Sequence, residues 1–106
     1  MAEFYEGPTI FYAVTDRRTG HPEWIALWGT PEGVIYAWVA NDKRWHRHSA
    51  LYSDYADRDP LLTFTEITAE EASARILSWP PLAGWLADKL MAARALTSAE
   101  LGLPAA

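Results

Sequence analysis

Apolar and polar positions follow two rhythms along the chain, and the rhythm changes near residue 68. Before that point the runs "TIFYAVTD" (9 to 16), "EWIALW" (23 to 28) and "VIYAWVA" (34 to 40) are short and rich in β-branched and aromatic residues. Gly, Pro, Asn and Asp bound them, which is the pattern of strands and turns. The connection "GTPEG" makes the second and third runs a hairpin. "NDKR" (41 to 44) reads as another turn, "WHRH" begins a shorter strand, and "LLTFTEI" (61 to 67) is a further one. Between them "SALYSDYADRDP" (49 to 60) carries one short helix, capped by Ser49 and ended by Pro60.

The second rhythm has the helical period. Thr68 followed three residues later by Glu71 is a capping box, with Ile67 placed to staple onto Ala72. A helix therefore starts at Ala69 and stops near Trp79, because Pro80 lacks the amide donor that a continuing helix needs. Glu71 and Arg75 are spaced as an ion pair on it. Leu82, Trp85, Leu86, Leu90 and Ala93 recur at helical spacing and predict a second amphipathic helix. The tail adds a turn from Ser98, stopped by Gly102 and Pro104. The expected architecture is a single α+β domain over residues 1 to 106. About four mainly antiparallel strands in residues 9 to 67 pack against two C-terminal helices, about 69 to 79 and 82 to 96. Its core should include Ile25, Leu27, Ile35, Val39, Ile76, Leu86 and Leu90.

If the hairpin connection pairs Trp28 with Val34, then Ala26 faces Tyr36 and Trp24 faces Trp38, all on one side of the sheet. The other side carries Ile25, Leu27, Ile35, Ala37 and Val39 and would seat the two C-terminal helices. The aromatic side needs its own cover. The segment 49 to 60 with Tyr52 and Tyr55 can supply it. A homodimer, a protein partner or a stacked small molecule are the other candidates. Trp24, Trp28, Tyr36, Trp38 and Trp45 are the candidate aromatic binding surface, since Trp and Tyr dominate binding hot spots.

Composition narrows the function classes. A hydrophobic fraction of 50% with 22% charged residues belongs to a folded chain. The absence of cysteine excludes a disulfide framework and thiolate metal sites. "MAEFYEGPTI" lacks the basic region and apolar run of a signal peptide, and no apolar run approaches the roughly 20 residues that span a bilayer. A cytoplasmic protein without membrane contact is the expectation. A formal net charge of -5 argues against bulk attraction to nucleic acid, so any anion binding must be local.

One stretch runs against that charge: "KRWHRH" (43 to 48). The turns holding Arg17, Arg18 and His21 and holding Lys43 and Arg44 fall at the same end of an antiparallel sheet. Arg17, Arg18, Lys43, Arg44 and Arg47 therefore form a candidate basic pole for phosphate or single-stranded nucleic acid, with Trp45 as a stacking face. Asp16, Glu23 and Asp42 dilute it. His46 and His48, two apart on a strand, project to one face and are weak metal candidates, with His21 approaching from the neighbouring turn. The His-x-His-x-Asp pattern of metal hydrolases is broken by Ala50. Asp54, Asp57 and Asp59 read first as loop and capping carboxylates and second as acid or base groups.

No catalytic set or cofactor motif assembles from these residues. The expected function is that of a small acidic binding or regulatory protein acting through a protein partner or as a homodimer, of the adaptor, accessory, antitoxin or immunity type, with Trp45 anchoring an acidic partner. The alternatives are anion or single-stranded nucleic-acid binding at the basic pole, and a His-x-His metal-dependent hydrolase.

Overall fold

The computed structural model describes residues 10 to 28 and 34 to 101. The strands are β1 (Ile10–Asp16), β2 (Pro22–Trp28), β3 (Ile35–Val39), β4 (Arg44–Arg47), β5 (Leu62–Ile67) and β6 (Ala95–Leu96). The helices are α1 (Ser49–Tyr55), α2 (Ala69–Ile76) and α3 (Gly84–Met91). The strands form one antiparallel sheet in the order β5-β1-β2-β3-β4-β6. The fold is α+β, as the pattern of residues predicts, with a wider sheet: five strands lie within the span expected to hold about four, and β6 extends the edge beyond β4. The "GTPEG" connection, Thr9 and the stop at 102 to 104 lie outside the described residues.

Local chemistry sets several boundaries. Asp16 closes the β1–β2 turn by accepting the backbone N–H groups of Arg18 and Thr19, and Gly20 takes the left-handed conformation that a side chain would strain. The Thr68 hydroxyl caps α2 by accepting the Glu71 N–H at 3.0 Å, while the Glu71 carboxylate turns to Arg75 at 3.0 Å. The helix ends at Ile76, three residues before Trp79, in a looser turn closed by Ser78 and Trp79 N–H groups. α3 is likewise shorter than its apolar repeat, because the Pro80–Pro81 pair holds the chain extended before it and Ala95–Leu96 leaves it to pair with β4. In α1 the N-cap position falls on His48, not Ser49, and the helix ends at Tyr55, before Pro60 is reached.

The register of β2 and β3 differs from the expected one by a single residue: Ala26 opposes Ala37, Leu27 opposes Tyr36 and Trp28 opposes Ile35. Side chains alternate with a period of two, so this one step moves every residue of β3 to the other face. Ile25 and Leu27 therefore share a face with Tyr36 and Trp38, beneath Ala72 and Ile76 of α2. Ala26, Ile35 and Ala37 share the opposite face with Trp24 and Trp28, beneath Leu51 of α1. The two C-terminal helices do not lie side by side. α2 crosses β1 and β2 on the first face, whereas α3 lies over β3 and β4 on the α1 face, where Leu86 borders the same depression as Trp24 and Leu51. Three layers result, with both faces of the sheet covered.

Of the expected core, Ile25, Leu27, Ile35, Val39, Ile76 and Leu90 are buried and Leu86 is half-buried. Trp85, placed on the apolar stripe of α3 by its spacing, is instead 72% exposed, while Ala87 and Leu90 face inward.

Candidate functional site

The five aromatic residues expected to form one binding surface are divided between the two faces. Trp24 and Trp28 lie on the α1 face. Tyr36, Trp38 and Trp45 lie on the α2 face, with Tyr36 and Trp45 at 0% exposure. The one-residue register step is the cause. On the α2 face Trp38 and Trp45 meet edge to face at 5.3 Å, Phe11 meets Trp45 at 5.9 Å, and the Trp45 indole N–H donates to Ser98 Oγ at 3.2 Å. Trp45 is thus a core residue and offers no face to a base or a partner. On the α1 face Trp28 stacks on Tyr52 and Tyr55, each at 5.7 Å, and Tyr12 and Tyr55 both meet the edge of Phe64. Residues 49 to 55 do close a second core there.

The basic pole is also redistributed. The turns at 17 to 21 and 40 to 43 do share one end of the sheet, but Arg47, opposite Tyr36, stands at the other end of β4. Arg17 donates to Asp59 Oδ1 at 2.9 Å and to the Pro60 carbonyl at 3.0 Å, so it ties the β1–β2 turn to the segment before β5. Arg18 sits on the same turn, beside Asp16.

A different separation of charge emerges. On the flank built from β4, β6, α3 and the segments that join them are Lys43, Arg44, Arg47, Lys89 and Arg94, five cations against the three carboxylates Asp42, Asp88 and Glu100. On the flank built from β1, β2, β5, α1, α2 and their connections, Arg17, Arg18, Arg58 and Arg75 stand against Asp16, Glu23, Asp54, Asp57, Asp59, Glu66, Glu70 and Glu71. Among the described residues the first flank carries a surplus of two positive charges and the second a surplus of four negative ones. Beside Arg47 on the basic flank the Lys89 ammonium lies 5.7 Å from the Trp85 ring centroid, a cation–π pair on an exposed indole. A groove of about 220 Å³ beside it is bordered by Arg47, His48, Leu86 and Leu90. Trp85 and Lys89 are four apart on a helix, and that spacing was the available signal for the pair. Reading Trp85 as part of the apolar stripe hid it.

The histidines do not gather. His46 is buried, its Nδ1 donating to the Ala93 carbonyl at 3.0 Å and its Nε2 facing Asp42 Oδ2 at 2.7 Å, so both ring nitrogens are engaged. It ties β4 to the end of α3 and to the β3–β4 turn. His48 is also buried and meets Trp24 edge to face at 4.6 Å. Burial first, and the positive charge of Lys89 second, push its imidazole down from 6.5 to about 4. His21 stays exposed beside Glu23 at 3.3 Å. Among the described residues no three His, Cys, Asp or Glu side chains are arranged to hold a metal ion.

The loop carboxylates are likewise engaged. Asp54 accepts the N–H groups of Leu61 and Leu62, Asp57 accepts that of Asp59, and Asp59 pairs with Arg17. They join α1 to β5, the capping role expected of them. Among the described residues no helix is long and apolar enough to cross a membrane.

Comparison with known families, with curated proteins and with solved structures finds no match to this chain.

Proposed function

We propose that this chain is a small non-catalytic binding or regulatory protein, acting in the cytoplasm, whose protein partner presents an acidic segment to the flank formed by β4, β6 and α3. The single observation that supports the reading is the charge separation. Among the described residues of a chain of net charge -5, β4, β6, α3 and their connections keep a surplus of two positive charges, and two of those cations, Arg47 and Lys89, lie beside the exposed Trp85. Like charges elsewhere on the surface would repel an acidic partner from every other approach and orient it toward this one. Trp85 supplies the apolar contact there, since an indole held under an ammonium loses little freedom on binding.

A labelled peptide rich in Glu, Leu and Phe tests the reading by fluorescence anisotropy. It should bind more weakly as salt rises, and Trp85→Ala should weaken it by about tenfold to thirtyfold. Lys89→Glu should weaken it further, while Arg75→Glu on the acidic flank should leave it unchanged. Equal binding of a Lys-rich peptide, or no effect of Trp85→Ala, would overturn the proposal. Tighter binding of a single-stranded oligothymidylate than of the acidic peptide would favour nucleic acid at the same flank.

A further inference from the structure

The α2 face holds a cavity that shares only Lys43 with the cations of the partner-binding flank. It measures about 510 Å³ and is lined by Trp38, Ala40, Lys43, Ile76, Leu77, Trp79 and Ser98. That volume falls within the roughly 300 to 1,000 Å³ typical of small-molecule sites. Its walls are fixed from several directions. Trp38 comes from β3, Ile76 from the end of α2, and Ser98 from the chain beyond β6. The segment carrying Trp79 is held against the β3–β4 turn, because the Asn41 side chain both donates to the Leu82 carbonyl, at 3.0 Å, and accepts the Leu82 N–H, at 2.8 Å.

Among the described residues Lys43 and Ser98 bring polar donors to the lining of the cavity. Lys43 contributes an ammonium. Ser98 already accepts the Trp45 indole N–H, which leaves its own O–H to donate. Trp38 is 94% buried by its 6% exposure, and its indole N–H has no hydrogen-bond partner. That N–H is enclosed by protein atoms, so Trp38 serves the cavity as an apolar wall. Among the described residues no carboxylate lines the cavity. Lys43 adds a second observation. Its φ of 57° is the left-handed conformation, the only such non-glycine residue among those described, at a turn position where Gly or Asn would be unstrained. The chain accepts that strain at the residue that brings positive charge to the cavity.

We propose that this cavity binds a small aromatic carboxylate, its ring between Trp38 and Trp79 and against Ile76 and Leu77, and its carboxylate at Lys43 and Ser98. Aromatic and aliphatic walls select a flat apolar body, and a lining of donors with one cation selects a single negative charge.

The test is calorimetric titration of the full chain with naphthalene-2-carboxylate and, separately, with its neutral amide. The carboxylate should bind and the amide should bind at least about tenfold more weakly, since a hydrogen bond to a charged group is worth about that factor. Lys43→Gly should weaken the carboxylate by a similar factor and leave the amide unchanged. Its melting temperature should not fall, because glycine adopts the left-handed turn without strain. Leu77→Glu, at an exposed wall residue, should weaken the carboxylate specifically. In a proton–nitrogen spectrum the Trp38 indole resonance should move on titration and the Trp24 and Trp28 resonances, on the other face, should not. No binding of either compound, equal binding of both, full carboxylate affinity in Lys43→Gly, or an unmoved Trp38 resonance would each overturn the proposal.

Discussion

The two faces of the sheet bury comparable sets of aromatic residues and do so in different ways. On the α2 face the rings are swallowed whole: Trp45 and Tyr36 are at 0% exposure and Trp38 at 6%. Their polar atoms must then find partners inside the protein, as Trp45 does at Ser98 and Trp38 does not. Over Trp28 on the α1 face the cover is a seven-residue helix whose tyrosines stack on that ring and stay partly exposed, Tyr52 at 40% and Tyr55 at 42%, with the Tyr55 hydroxyl 3.5 Å from that of Tyr12. Tyrosine is suited to a thin cover, because its hydroxyl is satisfied by water while its ring excludes water from what lies beneath. A full layer of packing makes a rigid face in which an unpaired donor has consequences. A thin one makes a face that tolerates change.

The largest test of this contrast is Trp45→Ala, which should cost about 3 to 5 kcal/mol in denaturant unfolding, a large share of the stability of a domain this size. A loss under about 1 kcal/mol would mean that the α2 face is not the tightly packed one.

Next in size is the pH response of His48, the buried titratable group at the rim of the α1 face. In the unfolded chain it takes up a proton as pH falls through about 6.5. In the folded protein it stays neutral until about 4. Between those values the unfolded state binds more protons, so stability is full above about 6.5 and declines as pH falls toward 4, by on the order of 3 kcal/mol. The His48→Asn variant should lack this slope, measured as unfolding free energy against pH. Asp16 and Glu100 are both held below the ordinary carboxylate range, chiefly by backbone N–H groups that they accept, so their contributions are lost only in more acidic solution.

Smallest is Tyr52→Ala, which removes one ring of the thin cover and should cost about 1 kcal/mol, read by the same unfolding experiment. If it costs as much as Trp45→Ala, the contrast between the faces fails.

What could be read in the sequence was local. The Thr68 cap, the strand runs and the α+β class all depend on neighbours along the chain, and propensity and periodicity act over that range. The side of the sheet on which each residue lies did not follow. It rests on a one-residue choice of register between β2 and β3, and both choices bury apolar side chains on both faces, so hydrophobic pattern alone does not distinguish them. Burial in two cores decided it, and with it the placing of Trp45 on the α2 face and of Trp24 and Trp28 on the other. The histidines teach the same lesson. His46 lies on β4 and His48 just beyond its end, at the N-cap of α1, and whether an imidazole is a ligand or a structural tie depends on what meets it. For His46 that was the Ala93 carbonyl, brought 47 residues along the chain to 3.0 Å by the packing of α3. The charge separation and the cavity belong to the same class. Lys43 and Trp79 become neighbours only when Asn41 clamps Leu82, a contact between residues 41 apart that no local rule anticipates.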